Sequence, residues 1–164
     1  MDWCTPADLV AAESDTDLLA ALAGPTDAPP VDGATLRLAV AGGPLDDSTA
    51  AQALARLVTA CAAGGEQVGA YLAARWPDGL SPVPPLVQAA AVALALEDLL
   101  GARAAAPDGT YSGILRKAKT ARTTLAALRD GTLSLGTATV STPPTVRYQA
   151  ADRLVTAETL AGMG

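Results

Sequence analysis

Through the first four-fifths of this chain apolar residues recur at helical spacing; beyond residue 131 that spacing disappears. The clearest stripe is Leu54, Val58, Cys61, Gly65, Val68, Leu72 and Trp76, which at 100° per residue falls within about 40° of one line on a helix. Asp47 or Ser48 starts that helix, and Trp76-Pro77-Asp78-Gly79 ends it. Gly65 on the stripe signals either a close helix crossing or a kink. A second helix is predicted over Leu86–Arg103, after Pro82, Pro84 and Pro85. It is apolar nearly all round, with Gln88, Glu97 and Asp98 as the interruptions, and a helix without a polar face is surrounded by protein. A third is predicted over Tyr111–Arg129, with Ile114, Ala118, Ala121, Leu125 and Leu128 as its core stripe. Arg116 and Lys119 point the opposite way, and Lys117, Arg122 and Arg129 flank the stripe. Asp130-Gly131 ends it with glycine just past the last turn.

Two short helices precede these. Thr5-Pro6-Ala7-Asp8 combines a capping threonine, a proline suited to the first helical position and an acid placed to complete a capping box. Ser14-Asp15-Thr16-Asp17 reads as a second start, giving helices near 6–13 and 15–23, with Asp8 and Asp17 as structural caps. Residues 24–47 break the helical pattern with Pro25, Pro29, Pro30, Gly33, Gly42, Gly43 and Pro44. Within them Leu36, Leu38 and Val40 alternate with Thr35, Arg37 and Ala39, which predicts a short strand or hairpin arm. After Gly131, Leu133 and Leu135 alternate with Ser134 and Gly136 and begin an extended segment. The remainder to Gly164 is Thr/Val-rich, carries Pro143-Pro144 and offers sparse apolar anchors at Val146, Tyr148, Leu154, Val155, Leu160 and Met163. Such a segment gains stability only against another surface. The expected fold is therefore mainly α: a four- to five-helix bundle over residues 1–131, with residues 24–47 as a loop and small β element, and an extended C-terminal arm over residues 132–164.

Composition sharpens this picture. Half of the 164 residues are apolar, yet aromatics are 3% and phenylalanine is absent, so leucine, valine and alanine must fill the core. Alanine-rich faces bring helices close together. The formal net charge is −6, which argues against nonspecific nucleic-acid binding by the whole surface. The charge is uneven: residues 1–47 hold nine acids and one base, whereas residues 103–129 hold six bases and one acid. That polarity either orients neighbouring copies in an assembly or simply solvates each helix. Cys4 and Cys61 do not make a disulfide framework, and Cys61 on an apolar face reads as a small buried hydrophobe. The N-terminus lacks a signal-peptide pattern. The longest apolar run, Ala89–Leu96, falls far short of the ~20 residues that span a bilayer. Synthesis in a reducing cytoplasm, with no membrane partner, is the expectation.

Catalytic chemistry finds no foothold. With no histidine, His-based triads and His-ligated metals are excluded. There is no CxxC and no phosphate-binding loop of the G-x-x-x-x-G-K-[ST] type. Glu97-Asp98 is the adjacent acidic pair within a helix, and it reads as a polar notch or as a partner for Arg116 or Arg122. No enzyme activity and no cofactor are expected.

Several blocks, in order, resemble the head–tail adaptor (connector) proteins of tailed phages, specifically their small Mu-like prophage head-completion group. Thr5-Pro6-Ala7-Asp8-Leu9 is similar to an opening T-P-E-D-L. The stretch Gln67 to Trp76, ending Tyr71-Leu72-Ala73-Ala74-Arg75-Trp76, resembles I-D-G-Y-L-x-x-R-Y. Val83-Pro84-Pro85-Leu86 resembles the V-P-P-x-L that leads into the central helix. Ala127 to Gly136 is similar to I-x-x-G-x-x-S-L-G, and Asp152 to Met163 to R-x-F-T-R-D-x-L-x-G-F. Residues 24–47 are longer than the family's usual connection. Val155 and Met163 stand where aromatics are common, and Ala157 and Ala161 where basic residues are common.

The resemblance implies a helical protein of the virion that assembles as a ring of about twelve copies beneath the portal of a phage or phage-like particle such as a gene transfer agent. Such a ring extends the DNA channel, passes DNA without sequence-specific binding, and presents a surface to a tail-side connector or terminator. The arm residues Arg147, Tyr148, Arg153, Leu154, Val155, Leu160 and Met163 are then the candidate portal or subunit contacts, and Arg116 and Lys119 a candidate lumenal or intersubunit face. Two rival classes stay open: a tail-terminator or tail-completion protein, expected to carry more sheet, and a small nucleic-acid-binding regulator using helix 111–129, expected to show steep salt dependence.

Overall fold

The computed structural model describes residues 3–25, 31–44, 48–101, 109 and 111–135. Six helices run through them: α1 (Pro6–Ala12), α2 (Thr16–Ala23), α3 (Gly33–Val40), α4 (Ser48–Leu72), α5 (Pro85–Leu100) and α6 (Ser112–Asp130). Among the described residues there is no strand. The molecule is mainly helical, as expected, but the small β element is not there.

Local chemistry explains each start. Thr5 forms a full capping box: its amide donates to Asp8 Oδ2 at 2.7 Å, and its hydroxyl accepts from the Asp8 amide. Asp15 caps α2, accepting from the Leu18 amide at 2.9 Å. Asp17 has a different task from the cap of its own helix. Its carboxylate accepts from the Gly33 amide at 2.8 Å, tying α2 to the first turn of α3.

That first turn is where the strand expectation fails. Asp32 caps it, accepting from the Thr35 amide at 2.7 Å. With the chain started helically, Gly33, Leu36 and Ala39 turn inward at spacing three, and Leu38 turns out, 52% exposed. The alternation of Leu36, Leu38 and Val40 was thus not a division between two faces of a strand. Gly33 also lies where a Cβ would meet Thr16 and the Asp17 carboxylate, so the α2–α3 approach requires glycine. The buried Thr16 hydroxyl accepts from Arg37 on α3.

At the centre, α5 packs along α4, and α6 covers both. α1 and α2 pack on α4 and α5, and α3 packs on α2, α4 and α1. In α5 every residue from Ala90 to Leu96 is buried, matching the all-round apolar pattern. Leucines supply the bulk of the core: Leu9, Leu19, Leu22, Leu36, Leu57, Leu72, Leu94, Leu100, Leu125 and Leu128 are all essentially inaccessible. Each such burial is worth about 1.5–3 kcal/mol.

Neighbouring glycines divide two roles. A Cβ on Gly64 would stand 2.7 Å from the Ala91 carbonyl oxygen and 2.9 Å from the Ala95 amide nitrogen, so α4 and α5 meet there backbone to backbone. A Cβ on Gly65 would stand 3.2 Å from Trp3 Cδ1, so Gly65 seats the buried indole of Trp3. The glycine expected to permit a helix crossing is therefore one residue away from the one that does. The buried face of α4 keeps Cys61, Gly65, Val68 and Leu72 of the predicted stripe but widens to Ala50, Ala53, Leu57, Ala60 and Gly64, whereas Leu54 is half-buried and Val58 is 52% exposed.

Gly64→Ala is expected to lower stability by about 1–3 kcal/mol through overpacking, against the direction of helix propensity. Gly69→Ala, whose nearest neighbour would be Trp3 Nε1 at 3.9 Å, is expected to be neutral or to stabilise by up to about 1 kcal/mol. Urea denaturation midpoints at a common slope read the difference.

Candidate assembly surfaces

The sequence blocks that carry the family resemblance meet in space. Gln88, which follows the Val83–Leu86 block, donates from Nε2 to Asp8 Oδ1 at 3.0 Å, joining the start of α5 to the capping box of α1. Partial burial opposes ionisation of Asp8, but hydrogen bonds from the Thr5 hydroxyl, the Thr5 amide and Gln88 outweigh it and hold this carboxyl below the usual carboxylate range. A lowered folded pKa adds stability above the unfolded value of about 3.9, and that stability is lost as pH falls through the folded one.

The second meeting joins the end of α4 to the end of α6. The chain leaves α4 through a turn at Ala73–Arg75, where the Arg75 amide donates to the Leu72 carbonyl at 3.0 Å. Arg75 then reaches α6, donating from Nη1 to the Leu128 carbonyl oxygen at 3.0 Å. The Leu128 carbonyl also accepts from the Gly131 amide at 3.3 Å, and a cation at the last turn of a helix meets the negative end of the helix dipole. The same guanidinium lies 5.2 Å from the Trp76 ring centroid, and Arg129 lies 5.9 Å from that of Tyr71. Gly131, at φ +79°, ends α6, and a Cβ there would stand 3.0 Å from Arg75 Nη1. Beyond it, the Leu133 amide and the Thr132 hydroxyl both donate to the Ala127 carbonyl at 3.1 Å. The direction in which the chain leaves the bundle is thereby fixed as far as Leu135, the last described residue, which itself packs on the core.

Of the predicted site residues, Arg147, Tyr148, Arg153, Leu154, Val155, Leu160 and Met163 lie outside the described residues. Arg116 and Lys119 are described and exposed on the outer face of α6, as their spacing required. Glu97, the acid of the polar notch in α5, takes Arg122: the two guanidinium nitrogens pair with both carboxylate oxygens, one contact at 2.9 Å. That bond, aided by the Glu97 charge, raises the Arg122 pKa further above its ordinary value. Arg129 pairs with Asp130 at 2.8 Å. Arg116, Lys117 and Lys119 take part in neither pair.

Sequence reasoning missed a groove. Leu86, Ala89 and Ala90 of α5 and Ala121 of α6 form an apolar floor, with Arg116 and Lys117 on its rim beside Thr120 and Thr124. The groove encloses about 310 Å³, and Leu86 is 43% exposed in it. The signal was Leu86 itself, a large apolar residue in the first turn of a helix whose next turns are buried. A larger recess of about 540 Å³ lies beside Trp3, Cys4, Val58, Gly65 and Glu66. Cys4 and Cys61 are free thiols buried at its floor, with Cys4 Sγ 3.8 Å from the Cys61 carbonyl oxygen. Contact with Cys4 and burial together push the Cys61 thiol well above its usual pKa, which keeps it protonated and unreactive. No helix among the described residues is long and apolar enough to cross a membrane.

The family model described as Bacteriophage Mu, Gp36 matches residues 3–152. The chain belongs to that family. Four of the five blocks lie within the match, and the closing block lies beyond it except for Asp152. Comparison with curated proteins and with solved structures found no match. Membership makes this a phage-family protein and supports a structural or morphogenetic class.

Arg75→Ala is expected to cost about 1 kcal/mol and to speed hydrogen exchange in the last turn of α6 and at Thr132–Leu133, leaving α1 unchanged. Unaltered exchange at those amides would show that Arg75 does not hold the end of α6.

Proposed function

We propose that this protein is a head–tail connector: a non-enzymatic subunit, needing no cofactor, of a ring seated beneath the portal of a tailed phage or a phage-like particle such as a gene transfer agent. The observation that carries the reading is the family match, which runs from Trp3 through the whole bundle and into the C-terminal segment. The bundle acts as a rigid wedge, with α5 buried at its centre. The clasp between Arg75 and Leu128 sets where the C-terminal segment departs. That segment, residues 136–164, carries apolar anchors and two prolines but few charges. It engages a neighbouring subunit or the portal through backbone pairing and a few side chains, with Arg147, Tyr148, Arg153, Leu154, Val155, Leu160 and Met163 as its contacts. Ring closure multiplies contacts that are weak singly. DNA passes through the lumen without base-specific contact, and the opposite face of the ring meets a tail-side connector or terminator.

The helical content of the described residues supports this over the tail-terminator reading, which called for more sheet. The regulator reading is weakened by the overall charge of −6 and by the engagement of Arg122 and Arg129 in ion pairs.

Truncation after Gly136 tests the arm. The shortened chain is expected to remain folded and helical by circular dichroism, yet to be missing from purified particles when it replaces the full-length protein. Normal incorporation would overturn the arm's role.

A further inference from the structure

Two exposed surfaces of this molecule complement each other, and they are built from different helices. The first is the groove between α5 and α6, apolar at Leu86, Ala89, Ala90 and Ala121 and basic at its rim. The second is the outer face of α3. Ala34, Leu38 and Ala41 fall at i, i+4 and i+7 there, all exposed, with Leu38 standing out at 52%. Helix residues at that spacing share one face. Acids surround the start of this helix: Asp32 caps it, Asp17 holds its first amide, and Asp15 caps the helix before it, while the base of α3, Arg37, is turned back onto the Thr16 hydroxyl of α2. Hydrogen bonds from the Thr35 amide and hydroxyl hold the Asp32 carboxyl below its usual range, so it stays ionised at neutral pH.

We propose that the α5–α6 groove of one copy receives the α3 face of the next, with Leu38 seated over Leu86 and the acids at the start of α3 facing Arg116 and Lys117. This rests on the ring reading above and names the pair of surfaces that would build the ring. Each copy gives its α3 face to one neighbour and its groove to the other, which makes the proposed contact heterologous. A contact of that kind propagates head to tail and closes into a ring where its rotation permits.

Two other occupants fit the groove less well. Residues 136–164 of this chain carry two bases, Arg147 and Arg153, and two acids, Asp152 and Glu158, so they bring no net charge to a basic rim. A nucleic-acid backbone would meet Arg116 and Lys117, but the apolar floor gives phosphates and sugars nothing and would leave Leu86 exposed. A second copy brings an apolar face to the floor and carboxylates to the rim together.

Disulfide trapping on the full-length chain tests this. Leu38→Cys and Leu86→Cys both alter exposed positions, and the native Cys4 and Cys61 are buried, so the unmodified chain serves as the blank. The two variants, one carrying a mass tag, are mixed at equal concentration in low salt and oxidised mildly with copper phenanthroline. The mixed dimer is expected to exceed both homodimers well beyond a statistical distribution, and a chain carrying both cysteines is expected to give a ladder of trimers and larger species. Placing Arg116→Glu and Lys117→Glu in the Leu86→Cys chain is expected to cut the mixed product at least about tenfold, the scale of like-charge juxtaposition at an interface.

A statistical distribution of dimers would overturn the interface, as would preferential Leu38–Leu38 pairing or a mixed product indifferent to the charge reversal. Low-salt DNA retention that the same reversal abolishes, with no mixed product, would overturn it in favour of nucleic acid on the rim. The outcome is separable from the connector reading. A chain that joins particles without giving the mixed product sinks this interface alone, whereas one that gives it without joining particles sinks the connector reading alone.

Discussion

The close approach of α4 to α5 at Gly64 governs the rest of this structure. Only a residue without a Cβ lets the backbone of α4 reach Ala91 and Ala95. At that distance alanines are large enough to fill the space between the helices, which is how a chain without phenylalanine closes a core. α5 then has no exposed side through its middle turns, and α6 and the α1–α2 pair cover what α4 leaves open. Leucines from every helix supply most of the apolar burial. Dispersion in a dense interior adds to it, since close-packed atoms each gain little but do so many times over.

The same constraint explains what was legible beforehand. α5 and α6 announced themselves, one by the absence of polar residues and the other by a single stripe from Ile114 to Leu128 opposite Arg116 and Lys119. The capping box at Thr5 and Asp8 was readable because caps depend on local chemistry alone. In α4 the stripe was drawn through the largest apolar residues, including Val58, yet the helix meets α5 with small ones. Where helices touch backbone to backbone, alanine and glycine mark the contact, and in a sequence this rich in alanine they do not stand out. α3 was misread for a related reason. Its leucines fit period two as well as a helix, and the deciding interactions are Asp32 at its start and the reach of Asp17 across sixteen positions. The first is a local signal that went unused, and the second is tertiary and had no local signature.

Two joints lie in or beside the resembling blocks. Asp8 with Gln88, and Arg75 with Leu128 and Gly131, tie together elements far apart in the chain. What they do is hold the ends of helices, and above all the end of α6, from which the C-terminal segment departs.

The most direct test of the account is a cryo-electron microscopy reconstruction of intact particles that carry this protein. The account predicts a ring of helical bundles, recognisable by the α4–α5 pair with α6 laid across it, between the portal and the first tail component. Purified particles that lack the protein, or a bundle located in the tail tube or on the capsid shell, would contradict it.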